Sequence, residues 1–185
     1  MWKKPTEVES RRLHYKGNME NYIENKAAQA ESLFKSGYNC AQSVALAFSD
    51  YVAEKTGLDE DSVRSILTNS CAGFGGGFGR MREICGCVSG MTAIAGFICP
   101  AAQANDASGK AMKAENYALV QKLAGRFKSE NGSIVCRELL AGTCPVSAEP
   151  QPSDRTAEYY RKRPCSALAA AAASYLAEEI CWRKG

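Results

Sequence analysis

The sequence has few of the features that reveal a function directly. It contains one histidine, His14, and no two of its cysteines have CxxC spacing. The common zinc-finger patterns and the thioredoxin-type motif are therefore absent, and without CxxCH a covalent c-type haem is not expected. We expect His14 to be solvated rather than to bind a metal.

Long apolar runs are also missing. The longest candidate, CVSGMTAIAGFICPAA, is interrupted by Gly90, Gly96 and Pro100, and it is shorter than the roughly 20 apolar residues of a membrane helix. The N-terminus has no apolar signal core, so we expect no secretion signal and no membrane partner. The expected compartment is the reducing cytoplasm, where many cysteines indicate metal or redox chemistry more often than structural disulfides.

An excess of positive charge is missing outside the first 18 residues. The net charge is +3, and the excess falls in a polar segment that contains Lys3, Lys4, Arg11, Arg12 and Lys16 against Glu7 and Glu9. The rest of the chain is balanced and has no basic stripe, so a nucleic-acid partner is not expected.

The pattern along the chain is helical nearly throughout. The 185 residues suit one domain, which we place at 19–185 after a polar basic arm at 1–18; Met19 is an alternative start. Apolar residues recur at helical spacing and alternating runs are rare, which predicts an all-α bundle of about six to seven helices with a glycine-rich turn. The predicted helices are 20–36, 40–56, 60–71, 83–99, 109–132, 135–142 and 165–184, and residues 143–157, with three prolines, are interpreted as an irregular loop.

The most unusual stretch is GFGGGFG at 73–79. No strand precedes it and no Gly-Lys-Ser/Thr follows, so a phosphate-binding loop is not indicated. A tight turn between helices is favoured, and the small residues would also let the backbone approach a cofactor closely. Arg80 and Arg82 are expected to reach solvent, and attraction of an anionic substrate is a less favoured role for them. The glycines expected near a cofactor are Gly75, Gly76, Gly77 and Gly86.

Glycine also recurs inside the fourth predicted helix. Gly86 and Gly90 are four residues apart, so they lie on one face of that helix. Each costs about 1 kcal/mol relative to alanine, which indicates that another helix or a cofactor comes close to this face.

Nine cysteines, an odd number, are present, so complete internal pairing is excluded. Four of them fall in the first turns of four predicted helices: Cys40, Cys85, Cys136 and Cys165. A helix N-terminus stabilises a thiolate, which is the form that attacks disulfides and binds metals. If these four ends converge, they form one sulfur site. Each residue alone could equally be a small buried apolar side chain.

The other cysteines lack that placement. Cys71 and Cys87 are candidates for extra ligands or resolving thiols, and Cys181 is interpreted as a packing residue. Cys87 follows Cys85 by two positions, and on a helix such neighbours point in different directions.

The ordered set of motifs resembles the C-GCAxxG-C-C family of redox-active proteins. The matching segments are GYNCAQSV (37–44), AGFGGGFGR (72–80), ICGCVSG (84–90), CRELL (136–140) and RPCSALAAAAASYL (163–176). The resemblance identifies Cys40, Cys85, Cys136 and Cys165 as the family's defining cysteines. Cys87 stands where the family usually has alanine.

The resemblance implies a small, mostly helical protein, often encoded near oxidoreductase or transporter genes. It also implies a relation to the cysteine-bearing domain of split-Soret cytochromes, which is associated with an iron–sulfur centre. Three hypotheses follow for the four sulfurs. In the first hypothesis, the four sulfurs bind an iron–sulfur cluster, such as [2Fe–2S], for electron transfer or sensing.

Alternatively, they form a cluster-free thiol–disulfide oxidoreductase with a Cys40–Cys85 or Cys136–Cys165 disulfide, or they hold a structural zinc ion. The third hypothesis includes a helical dimerisation module, because the run ALAAAAAS permits close packing within the chain or in a homodimer. The expected partner of a redox centre is an electron-transfer protein.

Overall fold

Nine helices account for most of the described chain. The computed structural model describes the backbone of residues 7–100, 107–144 and 149–184, and the side chains of 17–100, 107–144 and 149–183. His14 and the basic side chains of the predicted arm lie outside the described side chains. The helices are α1 (Glu7–Lys35), α2 (Cys40–Leu46), α3 (Ser49–Thr56), α4 (Glu60–Ser70), α5 (Gly86–Ile98), α6 (Ala107–Asn131), α7 (Cys136–Leu139), α8 (Ala157–Lys162) and α9 (Cys165–Lys184).

The all-α prediction is confirmed. Within the described ranges β-pairing is limited to one isolated antiparallel bridge between Ile84 and Val135. A single 3₁₀ turn at Ala72–Phe74 leads from α4 into the glycine segment. No described helix is both long enough and apolar enough to cross a membrane.

Helices α1 and α8 differ from the prediction, and α7 (Cys136–Leu139) is shorter than the predicted 135–142. Helix α1 begins at Glu7 rather than near residue 20, because Glu, Arg, Leu and Lys are good helix formers even where no apolar stripe marks them. The region interpreted as an irregular loop contains the short helix α8, whose N-cap Thr156 accepts a hydrogen bond from the backbone of Tyr159. Its six residues are too few for a clear periodic pattern.

The predicted helix 40–56 is divided into α2 and α3 around Ala47 and Phe48. The buried Lys26 of α1 donates a hydrogen bond from Nζ to the Ala47 carbonyl at 2.8 Å. The same ammonium contacts the Asp50 carboxylate at 2.6 Å. Since a carbonyl freed from a helix needs a new partner when buried, Lys26 compensates for the break.

The alanine-rich helix α9 forms the centre of the core. It packs along α1, and α2 packs against α5. Ala169, Ala172, Ala173 and Ala177 are fully buried, and their small side chains permit close approach of α1. The alanine run is thus used within the chain.

Candidate functional site

The structure places the four predicted cysteines at helix starts. Cys40, Cys136 and Cys165 are the first residues of α2, α7 and α9. Cys85 is the residue immediately before α5. Cys40 is half-buried and the other three are buried.

Cys87 belongs to the same group, contrary to the expectation from helical geometry. Cys85 has an extended backbone (φ −56°, ψ 132°), so it does not share the helical geometry of Cys87. Because of this change at the helix boundary, their side chains hydrogen bond with each other. We call the group formed by Cys40, Cys85, Cys87, Cys136 and Cys165 the sulfur site.

Interactions among these thiols shift their pKa values. Cys40 interacts with both Cys165 and Cys87, and these interactions hold the pKa of the Cys40 thiol well below its ordinary value. The positive charge of Arg155 acts in the same direction. Cys40 is therefore the member of the site that most favours the thiolate form.

The pKa values of its neighbours shift upward. Hydrogen bonding with Cys40 raises the pKa of Cys165, and burial adds to the effect. Hydrogen bonds with Cys40 and Cys85 raise the pKa of Cys87, again with burial. The pKa of Cys40 therefore shifts in the opposite direction to the pKa values of Cys87 and Cys165.

Cys136 completes the site from a separate segment. Burial raises the pKa of Cys136 to about 11, as do the charges of Cys85 and Cys40, whereas a hydrogen bond with Arg82 lowers it. The disulfide pairs expected from sequence, Cys40–Cys85 and Cys136–Cys165, stay predictions, and the thiols that act most strongly on the pKa of Cys40 are those of Cys165 and Cys87.

Backbone hydrogen bonds between two segments bring Cys85 and Cys136 together. The N–H of Cys85 donates to the Ile134 carbonyl at 2.8 Å, and the N–H of Cys136 donates to the Glu83 carbonyl at 2.6 Å. These bonds flank the bridge between Ile84 and Val135. The start of α5 and the start of α7 are consequently fixed side by side.

Asn39 fixes the position of Cys40. Its side-chain oxygen accepts hydrogen bonds from the backbone N–H groups of Ala41 and Gln42. The Asn39 N–H donates in turn to the side-chain oxygen of Gln42, which completes a capping box. The Asn39 amide nitrogen donates to the carbonyls of Cys71 and Ala72. The start of α2 is therefore tied to the end of α4 and to the glycine segment.

Gly86 and Gly90 are where α2 approaches α5. A Cβ on Gly86 would lie 2.9 Å from the Cys40 Cβ, and one on Gly90 would lie 2.7 Å from the Ala41 carbonyl oxygen. Such distances are sub-van der Waals contacts. The sequence left open whether another helix or a cofactor approaches this face of α5, and the close neighbour is helix α2. The two glycines thus allow Cys40 to lie close to α5.

The glycine segment has an unusual backbone. Positive φ values occur at Gly76, Gly77, Phe78, Gly79 and Arg80 in succession. Four backbone N–H groups from Gly79 to Glu83 donate to carbonyls of Gly73, Gly75, Gly76 and Gly77. The predicted turn is present, and it leads the chain towards Cys85.

Gly77 supports Cys136 directly. A Cβ on Gly77 would lie 2.8 Å from both the Cys136 Cβ and the Glu83 nitrogen. Gly75 packs in the same way on the Asn39 side chain. These glycines are thus next to the sulfur site, whatever group the site holds.

An open cavity lies over the sulfur site. It has a volume of about 570 Å³ and is lined by Cys40, Cys136 and Cys165 on one side. The arginines of its wall are Arg80, Arg82, Arg155 and Arg163. Contrary to expectation, Arg82 does not reach solvent freely, since only 4% of it is exposed. We call this space the arginine cavity.

Sequence reasoning missed part of that wall. Arg155, Tyr159 and Arg163 come from the segment interpreted as a loop and from α8. The signal that could have indicated them is the concentration of Arg and Tyr between Arg155 and Arg163, just before the cysteine of α9.

Of the remaining cysteines, Cys144 is next to the sulfur site, because it packs against the small core cluster that contains Cys136 and Cys165. Cys71 caps the end of α4 in the main core, where burial raises its pKa. Cys99 is buried beside Glu115, with its thiol 3.5 Å from the carboxylate. Cys181 is half-buried on α9.

The chemistry of the donors fits a metal–thiolate centre, since five sulfurs and no carboxylate or imidazole form the group. In the described residues, however, no three His, Cys, Asp or Glu side chains are already spaced to hold a metal ion. The thiols hydrogen bond with each other instead. Metal loading would thus replace those hydrogen bonds and release the thiol protons.

Fold and site together define a small helical protein of the redox-active cysteine class. The chain belongs to the family described as "Putative redox-active protein (C_GCAxxG_C_C)", whose model matches residues 38–179. The match includes all five cysteines of the sulfur site and confirms the family resemblance. No curated protein and no solved structure matches the chain.

Proposed function

We propose that the sulfur site is a redox centre that carries an iron–sulfur cluster, [2Fe–2S] in its simplest form, for electron transfer or sensing. The observation that carries the proposal is the convergence of five cysteines from four chain segments. Thiol–disulfide exchange needs two or three cysteines, whereas an iron–sulfur cluster is commonly held by four. The sulfurs that would hold it are Cys40, Cys85, Cys136 and Cys165, with Cys87 as a fifth donor.

The surroundings of the sulfurs support this proposal. Arg82 is buried and hydrogen bonds with Cys136, so it places positive charge beside a group of thiolates. A bound cluster would accept and release one electron at a potential set by its ligands and environment. Burial and the hydrogen bond from Arg82 are the contributions of this chain to that environment, because both act on the charge of the sulfurs.

Anaerobic purification followed by iron, sulfide and zinc analysis tests the proposal. We expect a coloured protein with iron and acid-labile sulfide near stoichiometric amounts. Cys40→Ser and Cys165→Ser should lose most of the iron, whereas Cys181→Ser, a half-buried cysteine on α9 outside the site, should retain it. A colourless, iron-free wild type would refute the cluster, and stoichiometric zinc in such a preparation would identify a structural metal site instead.

A second candidate is a cluster-free thiol–disulfide oxidoreductase. It is favoured by the packing of Cys40 against the small cluster that contains Cys165, and both cysteines line the arginine cavity. In this reaction the two thiols lose two electrons and two protons and form one S–S bond, while a disulfide of the oxidising partner takes them up and becomes two thiols.

Thiol counting with peptide mass spectrometry distinguishes this candidate. Mild oxidation of iron-free protein by a small disulfide should produce a reversible Cys40–Cys165 or Cys40–Cys87 bond. The Cys165→Ser variant should lose the first of these bonds and keep all thiols outside the site unchanged. Thiols that stay reduced in wild type under the same treatment would refute it.

A further inference from the structure

The arginine cavity has the dimensions of a small-molecule site. Its volume of about 570 Å³ falls within the range of roughly 300–1,000 Å³ that is typical of ligand pockets. It is lined by residues from the start of α2, the glycine segment, α7, the loop before α8 and the start of α9. Three cysteines of the sulfur site form part of its surface.

Apart from its cysteines, the ionisable side chains of its wall are Tyr159 and four arginines. The lining among the described residues contains no Asp or Glu. The pKa of Arg80 is lowered by burial and by the positive charges of Arg82 and Arg163. Like charges held this close repel each other, and a bound anion would remove that cost.

Neutral oxygens hold two of these guanidinium groups in place. Arg80 donates from Nε to the Glu149 carbonyl at 2.5 Å. Arg155 donates to the carbonyls of Phe34 and Tyr38 at 3.4 and 3.3 Å. These hydrogen bonds orient the two side chains, but a carbonyl group is neutral and does not balance the positive charge of a guanidinium group.

Tyr159 and the arginines form an ordered wall. The Arg155 guanidinium lies 4.8 Å from the centre of the Tyr159 ring, and the Arg163 guanidinium lies 4.6 Å from it. Stacking on an aromatic ring restricts an arginine side chain and leaves the edge of its planar fork available to an oxyanion.

The backbone at this wall is strained. Arg80 and Arg82 have φ values of 68° and 63°, a region in which non-glycine residues are uncommon and strained. Glycine occupies the positive-φ positions on either side of Phe78. Arginine at these positions therefore carries a cost that its side chain has to offset.

We propose that the arginine cavity binds a small organic anion with at least two carboxylate or phosphate groups, held over the sulfur site. Guanidinium groups recognise both oxyanions in a bidentate manner. Leu140, Pro150, Pro152 and Tyr159 supply the apolar part of the wall. The proposal holds whether the sulfurs carry a cluster or form disulfides.

Isothermal titration calorimetry on the anaerobically purified full chain tests the inference, with iron and sulfide measured on the same preparation. The probes are citrate for the carboxylate class and inorganic pyrophosphate for the phosphate class, with acetate as a single-charge control. We expect one of the two multivalent probes to bind to one site with a dissociation constant below about 1 mM, with acetate at least tenfold weaker.

Arg80→Gly is the most informative variant. It removes a guanidinium group and also relieves the positive-φ strain, so the protein should remain folded. Binding of the preferred probe should weaken at least tenfold in Arg80→Gly and in Arg163→Ala. Arg161→Ala is the matched control, because Arg161 is exposed on α8, two residues before Arg163, and is not part of the cavity wall; the affinity of this variant should match that of wild type.

Three results would overturn the inference. They are absence of binding by both multivalent probes, equal affinity for acetate, and unchanged affinity in both cavity variants with helicity preserved by circular dichroism. None of these results depends on the iron content, so a failure of the anion site is distinguishable from a failure of the cluster.

Discussion

At the scale of single residues, the sulfur site depends on positions that have no side chain. Gly77, Gly86 and Gly90 each stand where a Cβ would come within 3 Å of a neighbouring atom. Two of those neighbours belong to Cys40 and Cys136. The glycines of this family motif are thus part of how the cysteines are positioned.

Gly77→Ala should destabilise the protein more than a glycine substitution without a close neighbour. The new Cβ would be 2.8 Å from the Cys136 Cβ, and Gly77 has a φ of 75°. The strain alone costs roughly 1–2 kcal/mol, and the contact adds to it. Urea unfolding measures the loss, and iron content reports the displacement of Cys136.

Gly57→Ala is the matched control for that prediction. Gly57 has a similar φ of 71°, and a Cβ added there would have no heavy atom of another segment within 4 Å. It should show only the strain cost and retain the iron content of wild type. Equal stability losses and equal iron contents in the two variants would show that the contact with Cys136 is unimportant.

At the scale of the helices, the sequence predicted which cysteines begin a helix but not how their side chains meet. Caps and breakers are local signals, so Asn39, Asp59 and Pro164 are visible in the sequence. The pairing of 82–85 with 134–137 and the contact of Cys85 with Cys87 depend on backbone geometry that spacing does not reveal. The arginine cavity was hidden for the same reason, since its wall combines distant segments.

Two glycines on helix α5 should respond in opposite ways to alanine. Gly90→Ala places a Cβ 2.7 Å from the Ala41 carbonyl oxygen and 2.9 Å from the Val44 Cβ, so α2 must move. We expect a loss of about 1–3 kcal/mol, as for overpacking in cores.

Gly96→Ala has no neighbour within 4 Å and should stabilise the helix by up to about 1 kcal/mol. Thermal or urea unfolding of both variants measures the difference. If both were stabilised, the close packing of α2 on α5 would be incorrect.

At the scale of the whole molecule, charged contacts join the long helices. Glu179 on α9 is buried, with 6% of the residue exposed. Its carboxylate contacts Lys122 of α6 at 2.5 Å and Arg183 at 2.8 Å. Lys26 connects α1 to α3 in a similar manner. These pairs attach the outer helices to the core through groups whose charge depends on pH.

Acidification should weaken the attachment of α6 to α9. Burial acts to raise the pKa of Glu179, but the hydrogen bonds from Lys122 and Arg183 outweigh it and leave the pKa below its ordinary value. A carboxyl with a lowered pKa in the folded state contributes stability that is complete above its unfolded pKa of about 4.3. That contribution is lost as the pH falls through the lower folded value.

Glu179→Gln isolates this contribution from that of the other carboxyls. At pH 7 the variant should be less stable than wild type by about 1 kcal/mol, because Lys122 is largely exposed and its pair is screened by solvent. The difference should shrink as the pH falls below about 4.3 and through the lowered folded pKa of Glu179, because the carboxylate of wild type then becomes protonated. Urea unfolding at pH 3 and pH 7 measures it. A stability difference that is the same at pH 3 and pH 7 would mean that the packing of this side chain, rather than its charge, connects the two helices.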